Sequence, residues 1–173
     1  NVDHIFSDFE MVEKRTDEKY AHYFGPLVFL NVGNGNDIDA DGGGYSPIYV
    51  EDGQQRLTTF FFILHCLYKR IEEVTDELKK TKNKKEIEDA EDILRDIRKI
   101  VHIKKIQGND SVWKLRWKND HADLNAFFFK VLDRKIMSGT QLNNNIEKCI
   151  YHRYSEIREK MESKCKTIID IRN

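Results

Sequence analysis

The chain has 173 residues, enough for one domain with a substantial core, and carries 29 basic and 30 acidic residues for a formal net charge of −1. This balance excludes a uniformly basic surface for nucleic acid, so any contact with DNA would need a local patch. Cys66, Cys149 and Cys165 are far apart and form no Cys-x-x-Cys pair, and neither a signal-peptide pattern nor an apolar stretch of about 18 residues is found. These features predict a soluble, cytoplasmic protein with no membrane contact, whose cysteines are reduced and lie in the core.

The first predicted elements are a short helix and a pair of strands. Val2–Tyr20 has the apolar spacing of a helix, and Tyr23–Val32 has the composition of a strand. Gly33–Ser46 is rich in glycine, asparagine and aspartate, which predicts a loop. We expect the loop to connect Leu27–Asn31 with Ile48–Val50 as antiparallel strands.

The eight residues Asp52–Thr59 join the second strand to a long apolar helix. Asp52 and Gln55 have the spacing of a capping box, which would assign them a structural role only. Capping does not explain Arg56, because a cation in the first turn is repelled by the positive end of the helix dipole and lowers helix stability by up to about 1 kcal/mol. Nor does it explain Gly53, since glycine inside a helix costs about 1 kcal/mol relative to alanine. A bound phosphate would remove both objections, because it would accept hydrogen bonds from the first-turn N–H groups and from Arg56.

In the anion-binding interpretation, neutral donors surround the phosphate. These donors are the side chains of Gln54, Gln55, Thr58 and Thr59. Asp52 either turns away as the helix cap or holds a Mg²⁺ ion that bridges to phosphate oxygens. The spacing leaves both interpretations, an anion site and a structural cap, open.

Helices dominate the remainder of the chain. Gln54 to about Val74 is apolar around much of its circumference, which predicts a buried central helix. Glu72–Lys85 is highly charged and predicts a helix end followed by a solvated turn, with a lysine patch for DNA phosphates as the alternative. Glu86–Val101 is expected to pack back on the central helix as an antiparallel hairpin.

The C-terminal part alternates a short extended run with two helices. Val112–Trp117 alternates apolar with basic residues and predicts a strand, with a clamp for a nucleotide base or a DNA end as the alternative. Asp120–Leu132 predicts a helix capped by Asp120, with three phenylalanines facing the core. Asn143 to about Ile171 predicts the last helix, whose apolar stripe either packs on the core or forms a dimer seam. The stripe consists of Ile146, Ile150, Tyr154, Ile157, Met161 and Cys165.

The string DGQQRLTT, following a strand and opening an apolar helix, resembles the signature of the N-terminal domain family of GmrSD-type, modification-dependent restriction endonucleases. Tyr23–Leu30, Trp113–Trp117 and Asp120–Leu132 are more loosely similar to the strand, basic-apolar run and acid-led helix of that family. Family members are similar in fold to ParB and sulfiredoxin. The resemblance implies nucleotide binding and hydrolysis, with GTP favoured, coupled to recognition of foreign or modified DNA. It places the nucleotide site at Asp52, Gly53, Gln54, Gln55 and Arg56.

We therefore expect an α+β fold dominated by helices, in which a small ParB/sulfiredoxin-like sheet packs on the motif helix and a helical C-terminal half follows. Residues 1–75 would be part of a ParB-like nucleotide-binding domain, and residues 76–173 its helical continuation. The family's upstream segment and its C-terminal His-Asn-His nuclease domain are not found, so we expect a fragment of a longer DNA-binding protein. The expected function is that of a regulatory NTPase without a P-loop. The alternatives are a module that senses a nucleotide or DNA phosphate without hydrolysis, and a purely structural helical domain.

Overall fold

A computed structural model describes residues 6–7, 25–31, 37–38, 44–45, 48–81, 84–104, 111–115, 121–136, 142 and 144–167. Four helices dominate this part of the chain: α1 (Gln54–Thr81), α2 (Lys84–Val101), α3 (Ala122–Leu132) and α4 (Asn145–Lys164). The strands are β1 (Val28–Asn31), β2 (Asp37–Ile38), β3 (Gly44–Tyr45), β4 (Ile48–Asp52), β5 (His102–Lys104) and β6 (Ser111–Trp113). The predicted α+β class, rich in helix, is confirmed.

The strand pair beside the motif helix forms as predicted. β1 pairs antiparallel with β4, with Phe29 opposite Val50 and Asn31 opposite Ile48. The register shifts by one residue beyond Phe29, so that Val28 lies opposite Asp52. This pairing places the end of β4, and therefore the start of α1, next to the segment that leads into β1.

Two further strand pairs were not predicted. The segment assigned to a loop contains β2 and β3, which pair antiparallel with Asp37 opposite Tyr45. β5 directly follows α2 and pairs with β6, with His102 opposite Trp113. Sequence patterns miss β2, β3 and β5 because two or three residues are too few to show a period of two. β6 overlaps the start of the predicted strand Val112–Trp117 but ends at Trp113, and Arg116 and Trp117 lie outside the described residues.

α1 is longer than predicted and forms the expected hairpin with α2. The helix continues past Val74 to Thr81. Leu78 packs against the core four residues after Val74, so the apolar stripe persists beneath a heavily charged surface. Lys79 on α1 lies 3.7 Å from Glu91 on α2, which supports an antiparallel arrangement of the two helices.

The core lies between α1 and the other three helices. Phe62 of α1 contacts Phe128 of α3 at a ring-centroid distance of 5.5 Å and Tyr154 of α4 at 5.4 Å. The predicted core positions Phe61, Ile63 and Ile71 are buried, as are the residues Phe62, Cys66, Val74, Ala90, Ile97, Val101, Phe128, Val131, Leu132, Ile150, Tyr154, Ile157 and Met161. Each large apolar side chain buried here contributes on the order of 1.5 to 3 kcal/mol.

α4 packs most of its predicted stripe on this core, which excludes that stripe as a dimer seam. Asn144 caps the helix, since its side chain accepts a hydrogen bond from the backbone N–H of Glu147 at 2.9 Å. Two assignments on this helix were wrong: Ile146 is 52% exposed and Cys149 is exposed. Both lie one residue before a buried position, Glu147 and Ile150, and so face away from the core.

Several predicted features fall partly outside the described residues. Of the N-terminal helix, only Phe6 and Ser7 are described, and Phe6 is buried. The proposed cap Asp120 also lies outside them, and His121 occupies the N-cap position of α3 without a side-chain cap hydrogen bond. None of the described helices has the length and apolar character needed to cross a membrane.

Candidate anion-binding site at the start of helix α1

Gly53 occupies the N-cap position of α1. Its carbonyl oxygen accepts the first helical hydrogen bond, from the backbone N–H of Leu57 at 2.9 Å. Asp52 ends β4 one residue earlier, so the predicted capping box of Asp52 and Gln55 is wrong. The strand and the helix therefore meet at a single residue.

That residue has to be glycine for reasons internal to the chain. Gly53 has a φ of +86°, in the left-handed region that other residues seldom adopt. A Cβ atom at Gly53 would lie 2.4 Å from Leu27 Cδ2 and 3.2 Å from the carbonyl oxygen of Pro26. The chain's own Gly-Pro-Leu segment, rather than a ligand, makes the close approach at this position.

Arg56 ties the start of α1 to the same segment. Its Nη2 atom donates to the Pro26 carbonyl oxygen at 2.5 Å and to Asp52 Oδ2 at 3.4 Å. The guanidinium lies beside Gly25, which also has a positive φ, +84°. The two acceptors offset the opposition between this cation and the helix dipole, so Arg56 has a structural explanation that needs no ligand.

Arg56 still retains capacity for an anionic ligand. Its side chain is 41% exposed, and that of Asp52 is 63% exposed. Both hydrogen bonds use Nη2, so within the described residues Nη1 and Nε are open to a further acceptor. An ion pair this exposed contributes at most about 1 kcal/mol, which a charge-assisted bond to phosphate would exceed.

The predicted neutral donors divide into two groups. Gln54 and Thr59 are held within the chain, because Gln54 Nε2 donates to the Val50 carbonyl at 2.7 Å and Thr59 Oγ1 donates to the Gln55 carbonyl at 2.8 Å. Gln55 is exposed and Thr58 is partly buried. The backbone N–H groups of the first turn have no acceptor inside the helix. The structure thus brings all the predicted residues to one helix end. Within the described residues, the donors left open there are the first-turn N–H groups, Gln55, Arg56 and the partly buried Thr58.

The lysine-rich end of α1 has acids close by. Lys79 lies 3.9 Å from Asp76 as well as 3.7 Å from Glu91. Lys80, Lys84 and Lys85 are exposed. The neighbouring carboxylates reduce the positive field that a DNA backbone would require.

His65, Cys66 and Tyr154 lie close together at the centre of the fold, but they cannot act as a histidine-activated cysteine nucleophile. His65 Nδ1 lies 3.1 Å from the hydroxyl oxygen of Tyr154, and both side chains are buried. Burial lowers the pKa of His65 to about 3 and raises the pKa of the neighbouring Cys66 thiol to about 12. A protonated, inaccessible thiol is not a nucleophile, so these residues are core residues.

Arg134 connects the end of α3 to α1. It has a φ of 55°, its N–H donates to the Val131 carbonyl at 3.0 Å, and the N–H of Lys135 donates to the Lys130 carbonyl at 2.8 Å, which is the pattern of a Schellman cap. Its side chain forms an ion pair with Glu73 of α1. Burial raises the pKa of Glu73, but hydrogen bonds from two arginines outweigh burial and leave that pKa lowered.

Gly25 and Pro26 belong to this site although the sequence patterns do not indicate it. The predicted strand Tyr23–Val32 includes both residues, whereas β1 begins only at Val28. The Gly-Pro pair is itself a turn signal and could have indicated a bend before the strand. Nothing local in the sequence specifies that Arg56, 30 residues later, binds the Pro26 carbonyl.

Comparison with protein-family models matches residues 1–171 to the family described as GmrSD restriction endonuclease, N-terminal domain. Comparison with curated proteins and with solved structures gave no match. The matched range covers nearly the entire chain and includes the strand pair, α1 and the helices that pack on it. The chain therefore belongs to the family of GmrSD restriction endonuclease N-terminal domains.

Proposed function

We propose that this chain is a regulatory domain of a DNA restriction protein, and that it binds and hydrolyses a nucleoside triphosphate at the start of α1. The observation that carries the proposal is the partly exposed guanidinium of Arg56 at the N-terminus of a 28-residue helix. A helix N-terminus and a cation together favour a polyanion. Membership of a restriction endonuclease family makes DNA the expected partner of the full-length protein.

In this proposal each side chain of the site has a distinct role. Arg56 neutralises phosphate charge through its open guanidinium nitrogens, while the first-turn N–H groups and Gln55 donate hydrogen bonds. Gln54, held against Val50 by its amide nitrogen, keeps its amide oxygen for the attacking water. Thr58 and Thr59 complete the polar surround, and GTP is the favoured nucleotide.

Mg²⁺ would fit this site as an ion that arrives with the nucleotide. Asp52 offers one exposed carboxylate, and within the described ranges no group of three His, Cys, Asp or Glu side chains gathers that could hold a metal. Mg²⁺ is commonly held by one or two carboxylates together with substrate phosphates. When bound, the ion would supply charge neutralisation to the phosphates.

The second candidate function is a structural junction without a ligand. Two hydrogen bonds favour this candidate. Arg56 holds the start of α1 to the Pro26 carbonyl just before β1, and Gln54 holds it to the Val50 carbonyl of β4. In that case wild type would bind no nucleotide at this position, and the loss of Arg56 would lower stability.

Calorimetric titration of GTP, ATP, CTP and UTP with Mg²⁺ tests the proposal on the wild-type chain, Arg56→Ala and Arg153→Ala. Arg153 is a matched control because its side chain is 42% exposed, compared with 41% for Arg56, and it also pairs with an acid, Glu156 at 3.3 Å. We expect saturable binding that Arg56→Ala weakens by about 10- to 100-fold, as for the loss of a charge-assisted bond, and that Arg153→Ala leaves unchanged.

Equal binding by wild type and Arg56→Ala would overturn the placement of the site. If wild type binds no nucleotide while Arg56→Ala loses stability in urea, the structural junction is the better account. Phosphate release by wild type, compared with Asp52→Asn, then separates hydrolysis from sensing without turnover.

A further inference from the structure

Phe60 is an exposed aromatic side chain near the start of α1. It is 38% exposed, whereas the next two residues, Phe61 and Phe62, are 7% and 1% exposed. Among the described residues of α1, it is the only large apolar side chain that is exposed. Successive residues of an α-helix are about 100° apart around its axis, so Phe60 lies about 200° away from Phe62, which packs on α3 and α4. Packing on the described core therefore does not account for a phenylalanine at this position.

Phe60 shares a face of α1 with Arg56. The two residues are four positions apart, which places them about 6 Å apart along the helix axis and only about 40° apart around it. Aromatic and other long side chains of a helix lean toward its N-terminus, over the preceding turn. This lean directs Phe60 toward the turn that contains Arg56. The start of α1 thus presents a cation and an exposed aromatic ring on the same side.

The guanidinium of Arg56 sets where phosphate groups would bind. Its Nη2 atom is held by the Pro26 carbonyl oxygen at 2.5 Å, which leaves Nη1 and Nε as the open donors within the described residues. A nucleoside triphosphate combines a polyanion with a flat aromatic base. Phosphates bound at Arg56 and the first-turn N–H groups would allow the base to extend along the helix face toward Phe60. In the opposite direction lies the carboxylate of Asp52, 3.4 Å from Nη2, which offers no flat apolar surface.

We infer that Phe60 binds the base of the nucleotide by stacking, while Arg56 binds its phosphates. This inference rests on the proposed function, because it assumes that the ligand at Arg56 is a nucleotide. Every base has a π-face, so stacking strengthens the binding of all nucleotides. A phenyl ring has no hydrogen-bonding group and does not distinguish guanine from adenine. Phe60 therefore provides affinity for the base, and a preference for GTP would have to come from other groups.

Calorimetric titration of GTP, ATP and inorganic tripolyphosphate, each with Mg²⁺, separates binding of the base from binding of the phosphates. The proteins are wild type, Phe60→Leu, which keeps an apolar side chain but removes the ring, and Phe60→Tyr, which keeps the ring. We expect Phe60→Leu to weaken binding of GTP and ATP by about 5- to 20-fold each and to leave tripolyphosphate binding unchanged. Phe60→Tyr should bind all three ligands like wild type. Ile146→Leu, at an exposed apolar position of α4, is the control and should also match wild type.

Arg56→Ala makes failure of this inference distinguishable from failure of the proposed function. If wild type binds neither GTP nor tripolyphosphate, both are overturned. If Arg56→Ala weakens GTP binding while Phe60→Leu binds GTP like wild type, the phosphate site stands and the stacking role of Phe60 is overturned. Equal weakening of GTP and tripolyphosphate by Phe60→Leu would also overturn that role, because it would show a structural effect on the whole site.

Discussion

Replacing Gly53 with alanine should destabilise the fold for two separable reasons. The backbone at Gly53 has a φ of +86°, where a residue with a Cβ atom costs about 1 to 2 kcal/mol. The new Cβ would also lie 2.4 Å from Leu27 Cδ2, well inside van der Waals contact. Leu27 is partly exposed and can rotate away, so this contact adds less than the 1 to 3 kcal/mol typical of an overpacked core. We expect a total loss of about 1.5 to 3 kcal/mol in the free energy of unfolding.

A double-mutant cycle of Gly53→Ala with Leu27→Ala separates the two effects. Urea unfolding followed by circular dichroism gives the free energy of each variant. In the Leu27→Ala background, Gly53→Ala should cost only the backbone contribution of about 1 to 2 kcal/mol, which leaves a coupling energy of about 0.5 to 1 kcal/mol. Equal costs in both backgrounds would contradict the close contact with Leu27. A cost below about 0.5 kcal/mol in both would refute the argument from backbone conformation.

Three further predictions concern the helical core. Burial lowers the pKa of His65 from 6.5 to about 3. As the pH falls below 6.5, this histidine therefore takes up a proton in the unfolded state but stays neutral in the native state, which favours unfolding. Urea unfolding between pH 6 and 4.5 should therefore show stability falling more steeply with decreasing pH in wild type than in His65→Gln, by roughly 1.4 kcal/mol per pH unit, and equal slopes would contradict this. Asn144→Ala should lower the free energy of unfolding by about 1 kcal/mol, because it removes the side chain that caps α4. Asn144→Ser should retain most of the wild-type stability, and urea unfolding measures both variants. Arg134→Ala should lower the unfolding free energy by about 1 to 3 kcal/mol because Glu73 loses a partner, and an unfolding free energy equal to that of wild type in urea would contradict this.

The prediction of the motif helix succeeded because its signals are local. The apolar stripe through Phe61 and Ile71 repeats at the spacing of a helix, and the β-branched and aromatic residues before Asp52 indicate a strand. The prediction that α1 ends near Val74 failed because charge increases there while the stripe continues to Leu78. Burial depends on which side of a helix faces a neighbour, and α2 covers this part of α1.

Ile146 and Cys149 show the same limit at the other end of the chain. An apolar residue near the first turn of a helix can fall on either side of the stripe, and the buried set includes Glu147 in place of Ile146. Helical spacing predicts which residues lie together on one face. It cannot determine where along the helix the packing neighbour begins.

The helical character of the chain, the antiparallel pairing of β1 with β4 and the family resemblance could all be inferred from the sequence, because propensity, periodicity and short motifs act over a few residues. The reason for Gly53 and Arg56 at the junction emerged only from the folded structure. Their contacts with Leu27 and the Pro26 carbonyl join positions 26 and 30 residues apart in sequence. Such contacts depend on how the β1–β4 ribbon is placed against the start of α1, a placement that packing fixes and that no local sequence pattern encodes.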